Sequence, residues 1–175
     1  ELPDGNDSIE NTDYLPLSTV PTKTISSCSN LNQPGVTYLL TQDIINSTQS
    51  HCINISANNV TLDCQGHTID GDDATNYGII INRTSGETTN ITIRDCTVTD
   101  WGTRAIYLRN ANENTLENLV VESNAYNYDV GIHLDYSDSN TLKNITANSN
   151  YYGIHLSHSG NNSLSNITAN DNHFN

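Results

Sequence analysis

The sequence predicts an all-β chain: a right-handed single-stranded parallel β-helix, a solenoid of about five coils behind an extended N-terminal tail. Three observations lead there. First, a two-part motif recurs. Asn140-Thr-Leu-Lys-Asn-Ile-Thr-Ala-Asn148 returns as Asn162-Ser-Leu-Ser-Asn-Ile-Thr-Ala-Asn170, and Gly131-Ile-His-Leu134 returns as Gly153-Ile-His-Leu156, a shortest period of 22 residues. Second, apolar and polar residues alternate inside each motif, as in a strand with one buried face, and no stretch shows helical periodicity. Third, successive copies keep the same order of inward residues. Parallel in-register stacking at about 4.8 Å preserves that order, whereas antiparallel pairing would scramble it. The right hand follows from the bias of parallel crossovers.

Taken in chain order, residues 1–24 carry three prolines and few apolar side chains, and read as an extended tail or linker. Residues 25–175 form the β-helix. Gly35-Val-Thr-Tyr-Leu-Leu-Thr41 and Cys52-Ile-Asn-Ile55 make the first coil and its cap, bracketed by Cys28 and Cys52. Beyond them the inward residues align in columns: Ile79, Ile106, Ile132, Ile154; Ile81, Leu108, Leu134, Leu156; Leu62, Ile93, Leu116, Leu142, Leu164; and Cys96, Leu119, Ile145, Ile167. Thr61, Thr92, Thr115, Thr141 and Ser163 form a polar column. Asp95, Asn118, Asn144 and Asn166 form a corner column, suited to the left-handed backbone that asparagine tolerates. The 12-residue step from Leu142 to Ile154 places the partner of Leu164 near position 176, so the C-terminal coil is expected to be incomplete. Either a longer parent chain or a second subunit, reached by the tail Glu1 to Lys23, is expected to complete it.

Composition narrows the function. Six lysines and arginines face 20 aspartates and glutamates, a net charge of −14, which excludes a nucleic-acid binder working by phosphate neutralisation. Asparagine supplies 27 of the 175 residues, so amides rather than charges keep the surface wet. No apolar run is long enough to span a bilayer.

Asn59-Val-Thr-Leu-Asp-Cys-Gln-Gly-His-Thr-Ile69, Asn90-Ile-Thr-Ile-Arg-Asp-Cys96 and the Gly-Ile-x-Leu segments resemble the parallel β-helix repeats of NosD-like proteins and of large archaeal surface proteins, over roughly residues 25–175. The resemblance implies the fold and leaves the activity open, since such proteins range from enzymes to passive shafts.

Four cysteines without a Cys-x-x-Cys pair favour structural bridges. Cys28 to Cys52 is expected to be one. Cys64 and Cys96 fall on adjacent rungs once a one-residue difference after Leu62 is allowed, within reach of a second bridge, the alternative being two small buried thiols. Sequons recur at Asn6, Asn46, Asn54, Asn59, Asn82, Asn90, Asn144, Asn161 and Asn166. Asn46, Asn54, Asn59, Asn82, Asn90 and Asn161 are the expected glycan acceptors, whereas Asn144 and Asn166 are expected bare if the corner column engages their amides. Together these features point to an extracellular, cell-surface protein.

No catalytic residue stands out. His133 and His155 occupy one outward position on neighbouring coils, either as a transition-metal pair or as a duplicated polar ladder. Asp70, Asp72 and Asp73 suggest calcium or a solvated turn, as do Asp135 and Asp138 on a later coil, and no other cofactor is expected. Tyr77, Trp101, Tyr126, Tyr128, Tyr151 and Tyr152 precede the Gly-Ile-x-Leu segments and are expected to make an aromatic stripe for glycans or a protein partner. The functional expectation is a non-catalytic structural module of a surface layer, adhesin or filament, associating with its own copies or with the rest of a longer surface protein. The alternative is a carbohydrate-binding or polysaccharide-degrading β-helix, although Arg83, Arg94, Arg104 and Arg109 align with no acidic cluster.

Overall fold

The computed structural model of the chain describes residues 19–73, 77–82, 86, 88–122, 124 and 129–174. Every described strand pairs in parallel, and no helix occurs among the described residues. A 10-stranded sheet, a 6-stranded sheet and a 2-stranded sheet wrap one elongated core.

The register matches the columns read from the sequence. Thr37, Thr61, Thr92, Thr115, Thr141 and Ser163 are successive partners in the large sheet. Ile79, Ile106, Ile132 and Ile154 are successive partners in the 6-stranded sheet. Leu62, Ile93, Leu116 and Leu142 are fully buried, as are Ile106, Leu108, Ile132 and Leu134. In the last coil the same columns surface, with Leu156 and Leu164 exposed, because no described coil lies over them. The strands stay straight for only a few residues. At the corners Asp95, Asn118, Asn144 and Asn166 all take φ near +55°, the left-handed turn that an amide or carboxylate side chain makes tolerable.

One boundary differs from expectation. The strand Thr22–Ile25 lies across the end of the expected tail and pairs in register with Thr37–Leu40. Its β-branched threonines and isoleucine suit a pleated edge, and Thr37 and Thr41 donate backbone hydrogen bonds to Pro21 and Ile25 (2.9 and 3.0 Å). Thr22–Ile25 is thus the first strand of the large sheet among the described residues, and residues 1–18 of the expected tail lie outside them.

Both bridges form. Cys28 is bonded to Cys52, and Cys64 to Cys96, each across neighbouring coils with Cα atoms 4.3 and 4.9 Å apart. Cys64–Cys96 closes a loop of 32 residues. Chain-entropy reasoning puts the loss in a Cys64→Ala, Cys96→Ala variant at about 4 kcal/mol, to be read from the denaturant midpoint together with a steeper slope, since the unlinked unfolded chain is less compact.

Candidate functional site

The outward face of the 6-stranded sheet carries a stacked series of aromatic rings. His51, Tyr77, Tyr107, His133 and His155 stack ring on ring with centroids 4.7 to 5.7 Å apart, and Tyr152 and Phe174 continue the series. The column arises because each copy of the Gly-Ile-x-Leu strand offers outward positions directly above those of the preceding coil, with Tyr107, His133 and His155 at the x position.

Arg104 ties the ladder together. Its Nε donates to Nδ1 of His133 at 2.6 Å, its Nη1 donates to the Tyr77 hydroxyl at 3.2 Å, and its guanidinium lies 4.4 Å from the Tyr107 ring centre. The Tyr107 hydroxyl in turn donates to Asp135, which also lies 4.0 Å from Arg109.

Because Arg104 donates to Nδ1, the neutral His133 ring carries its proton on Nε2, which is buried without a hydrogen-bond partner. Burial first, then the Arg104 and His155 charges, push the His133 pKa down to about 4, against a smaller opposing effect of Asp135. The unfolded chain therefore binds a proton that the folded chain refuses. The stability due to neutral His133 is complete above about pH 6.5 and is lost as the pH falls toward 4. Urea unfolding between pH 7 and 4 is expected to show that loss. A His133→Gln variant, which keeps an acceptor for Arg104, is expected to show a flatter profile.

The aromatic stripe read from the sequence is corrected in one member and in kind. Trp101 is not on the surface: it is 1% exposed, and its indole Nε1–H donates to the Ile69 carbonyl at 3.1 Å. Corner position alone does not distinguish a ring covering the turn from one folded into the core. Tyr126 and Tyr128 lie outside the described residues. Tyr77 belongs to the ladder, and Tyr151 stacks on His173 beside Tyr152 and Phe174. Tyr107, His51, Phe174 and Arg104 were absent from the expected stripe. A sugar platform needs an open ring face, and in the ladder the interior rings present their faces to each other, with Tyr107 and His133 buried.

The metal candidates separate. His133 and His155 stack face to face at 4.7 Å, with a cation bonded to His133 Nδ1. Asp70 accepts the Asn46 backbone N–H at 2.8 Å and hydrogen-bonds Asp100, whose carboxyl is raised by burial first and then by the Asp73 and Asp70 charges. Asp72 is exposed, and Asp138 accepts the Gly160 N–H. Among the described residues, no three His, Cys, Asp or Glu side chains are grouped to hold a metal ion.

Asparagine ladders run along the axis, inside and out. Inside, the Asn114 backbone N–H and Nδ2 both donate to Asn140 Oδ1 (2.9 and 3.0 Å), and Asn140 repeats this onto Asn162. A second inner ladder joins Asn124, Asn150 and Asn172. Outside, Nδ2 of Asn118, Asn144 and Asn166 donates to Asp95, Asn118 and Asn144 in turn (2.8 to 3.0 Å). Asn54 donates likewise to Asn30, and Asn90 to Asn59.

No curated protein sequence matches the chain. Among solved structures, the chain is similar to a protein from Parabacteroides merdae described as a "putative glycosyl hydrolase", with 13% identity, a TM-score of 0.64, and coverage of 86% of this chain and 80% of that one. At that identity the likeness concerns the fold. The family described as "Right handed beta helix region" matches residues 24–175. With its parallel coils, in-register columns and one continuous core, the chain belongs to the right-handed β-helix family.

Proposed function

We propose that the chain is a non-catalytic structural module of an extracellular cell-surface protein: a short rigid shaft that carries N-linked glycans and associates with copies of itself or with the rest of a longer surface protein. One observation carries the reading: the polar and aromatic side chains make their contacts with the next coil. The ring ladder, the amide ladders and both disulfides all run along the axis. A ligand site holds groups ready and open, whereas a shaft ties each coil to its neighbours. Bridges between coils also suit an oxidising compartment.

The test is labelling of intact source cells with a membrane-impermeant amine reagent, beside turnover assays on a panel of polysaccharides. Labelling of the native protein without turnover supports the shaft. Confinement inside the cell, or turnover, overturns it.

A second reading, polysaccharide hydrolysis, has its own observation. Asp70, Asp73 and Asp100 influence one another, and burial, then the Asp73 and Asp70 charges, raise the Asp100 carboxyl from its ordinary value, the direction in which a general acid is tuned. The likeness to the Parabacteroides merdae protein agrees with it. Turnover abolished by Asp100→Asn would establish this reading, and an unchanged rate in that variant would remove Asp100 from it.

A further inference from the structure

We propose that, on the folded chain, Asn46 and Asn161 are the glycan acceptors, and that the sequons at Asn54, Asn90, Asn144 and Asn166 stay bare because the coil stack holds their amides and their middle residues. The inference deepens the surface-module reading and rests on it for the meeting with a glycosyl transferase.

Two independent requirements sort the sequons. Glycosylation forms a bond from the side-chain Nδ2 to C1 of a sugar, so Nδ2 must be open. At Asn54, Asn90, Asn144 and Asn166 this atom is the donor of an inter-coil hydrogen bond of 2.7 to 3.1 Å. The sequon must also leave the surface far enough for its hydroxyl residue to be bound, which a middle residue anchored in the apolar core forbids. The middle residues of these four are Ile55, Ile91, Ile145 and Ile167. The first three are buried, and the fourth packs against the core. Asn59 passes the first requirement, since it offers Oδ1 to Asn90, but fails the second, because its middle residue Val60 is fully buried.

Asn46 and Asn161 pass both. Each is exposed at a left-handed corner (φ 50° and 55°), and Nδ2 of neither donates a hydrogen bond among the described residues. The hydroxyl residues that complete their sequons, Thr48 and Ser163, are exposed too. Asn161-Asn162-Ser163 has a half-buried middle residue. In Asn46-Ser47-Thr48 the middle serine is buried but lies outside the apolar core, with Ile45 exposed on one side and Thr48 on the other. The sequon of Asn82 runs into positions outside the described residues and takes no part in the argument.

The donor is a lipid-linked oligosaccharide activated by a pyrophosphate. Nδ2 attacks C1, the C1–O bond to the pyrophosphate breaks, the lipid pyrophosphate leaves with the bonding pair, and one Nδ2 proton passes to a base of the transferase. No oxidant or reductant is needed.

The test compares the oxidised, folded full chain with the reduced, denatured chain. Both are incubated with a purified oligosaccharyl transferase and its lipid-linked donor, and occupancy is mapped site by site by mass spectrometry. Asn46 and Asn161 are expected to be modified at comparable rates in both states. Asn54, Asn90, Asn144 and Asn166 are expected to slow by about tenfold or more on folding, since modification there waits on local opening of the stack. Folded-state rates at Asn144 and Asn166 equal to the unfolded ones would overturn the proposal, as would Asn46 and Asn161 bare on the folded chain yet modified on the unfolded one. Neither result bears on the labelling of intact cells, so failure here and failure of the surface-module reading are distinguishable.

Discussion

Trp101→Ala is expected to lower the stability of the β-helix by about 3–5 kcal/mol, among the largest effects of any single change. The indole is a fully buried side chain at a corner of the core, and three contacts depend on its place. Its Nε1–H satisfies the Ile69 carbonyl at 3.1 Å, and its backbone N–H donates to Asn124 Oδ1 at 2.8 Å. Gly78 supplies the room: a Cβ there would stand 2.9 Å from Trp101 Nε1, 2.8 Å from Val98 Cγ1 and 2.6 Å from the Ala105 carbonyl. Alanine at 101 leaves a cavity and an orphaned carbonyl together, and Gly78→Ala presses on the same contact from the other side. Urea unfolding of both variants checks this. A loss below about 1 kcal/mol in Trp101→Ala would return the ring to the surface stripe.

Asn140→Ala is expected to cost about 3 kcal/mol or more without any loss of apolar packing. Asn140 is 1% exposed and sits in the middle of an inner ladder. Its Oδ1 accepts two bonds from Asn114, and its Nδ2 donates to Asn162 Oδ1 at 3.1 Å. Alanine orphans the buried Asn114 N–H and weakens the hold on Asn114 Nδ2, which retains a longer bond to the Thr88 carbonyl at 3.3 Å. Each buried group left unsatisfied costs about 1–3 kcal/mol. Asn140→Asp separates the two halves of the argument, since it keeps the acceptor for Asn114 but sets oxygen against oxygen at Asn162. Its deficit should therefore grow as the pH rises through the carboxylate range. Thermal unfolding at pH 4 and pH 7 reads the difference.

The backbone was legible for a simple reason. Parallel stacking places like on like, so a duplicated sequence prints its own register, and the isoleucine, leucine and threonine columns needed only alignment. Cysteine pairing was legible on the same ground, because neighbouring rungs leave few choices. The inner amide ladder went unread, although Asn114, Asn140 and Asn162 each stand directly before the threonine or serine column. Outward-pointing side chains were harder. Whether a ring lies over its turn or inside it depends on the space left by a neighbour such as Gly78, and alternation of residue types does not report that space. Trp101 was misplaced for this reason. The His51 to Phe174 ladder crosses between register columns, from Tyr77 in one to Tyr107 in the next, so no single aligned position reveals it. Asp100 was missed because the corner that carries it, next to Asp70 and Asp73, belongs to a different coil from theirs.

The placement of the covalent ties has a mechanical consequence. Both join residues in the run from Cys28 to Cys96, and beyond Cys96 the windings are held by contacts alone. Pulled from its two termini, the polypeptide would first pay out its later turns. The segments enclosed by the sulfur links would contribute no length until a reductant released them.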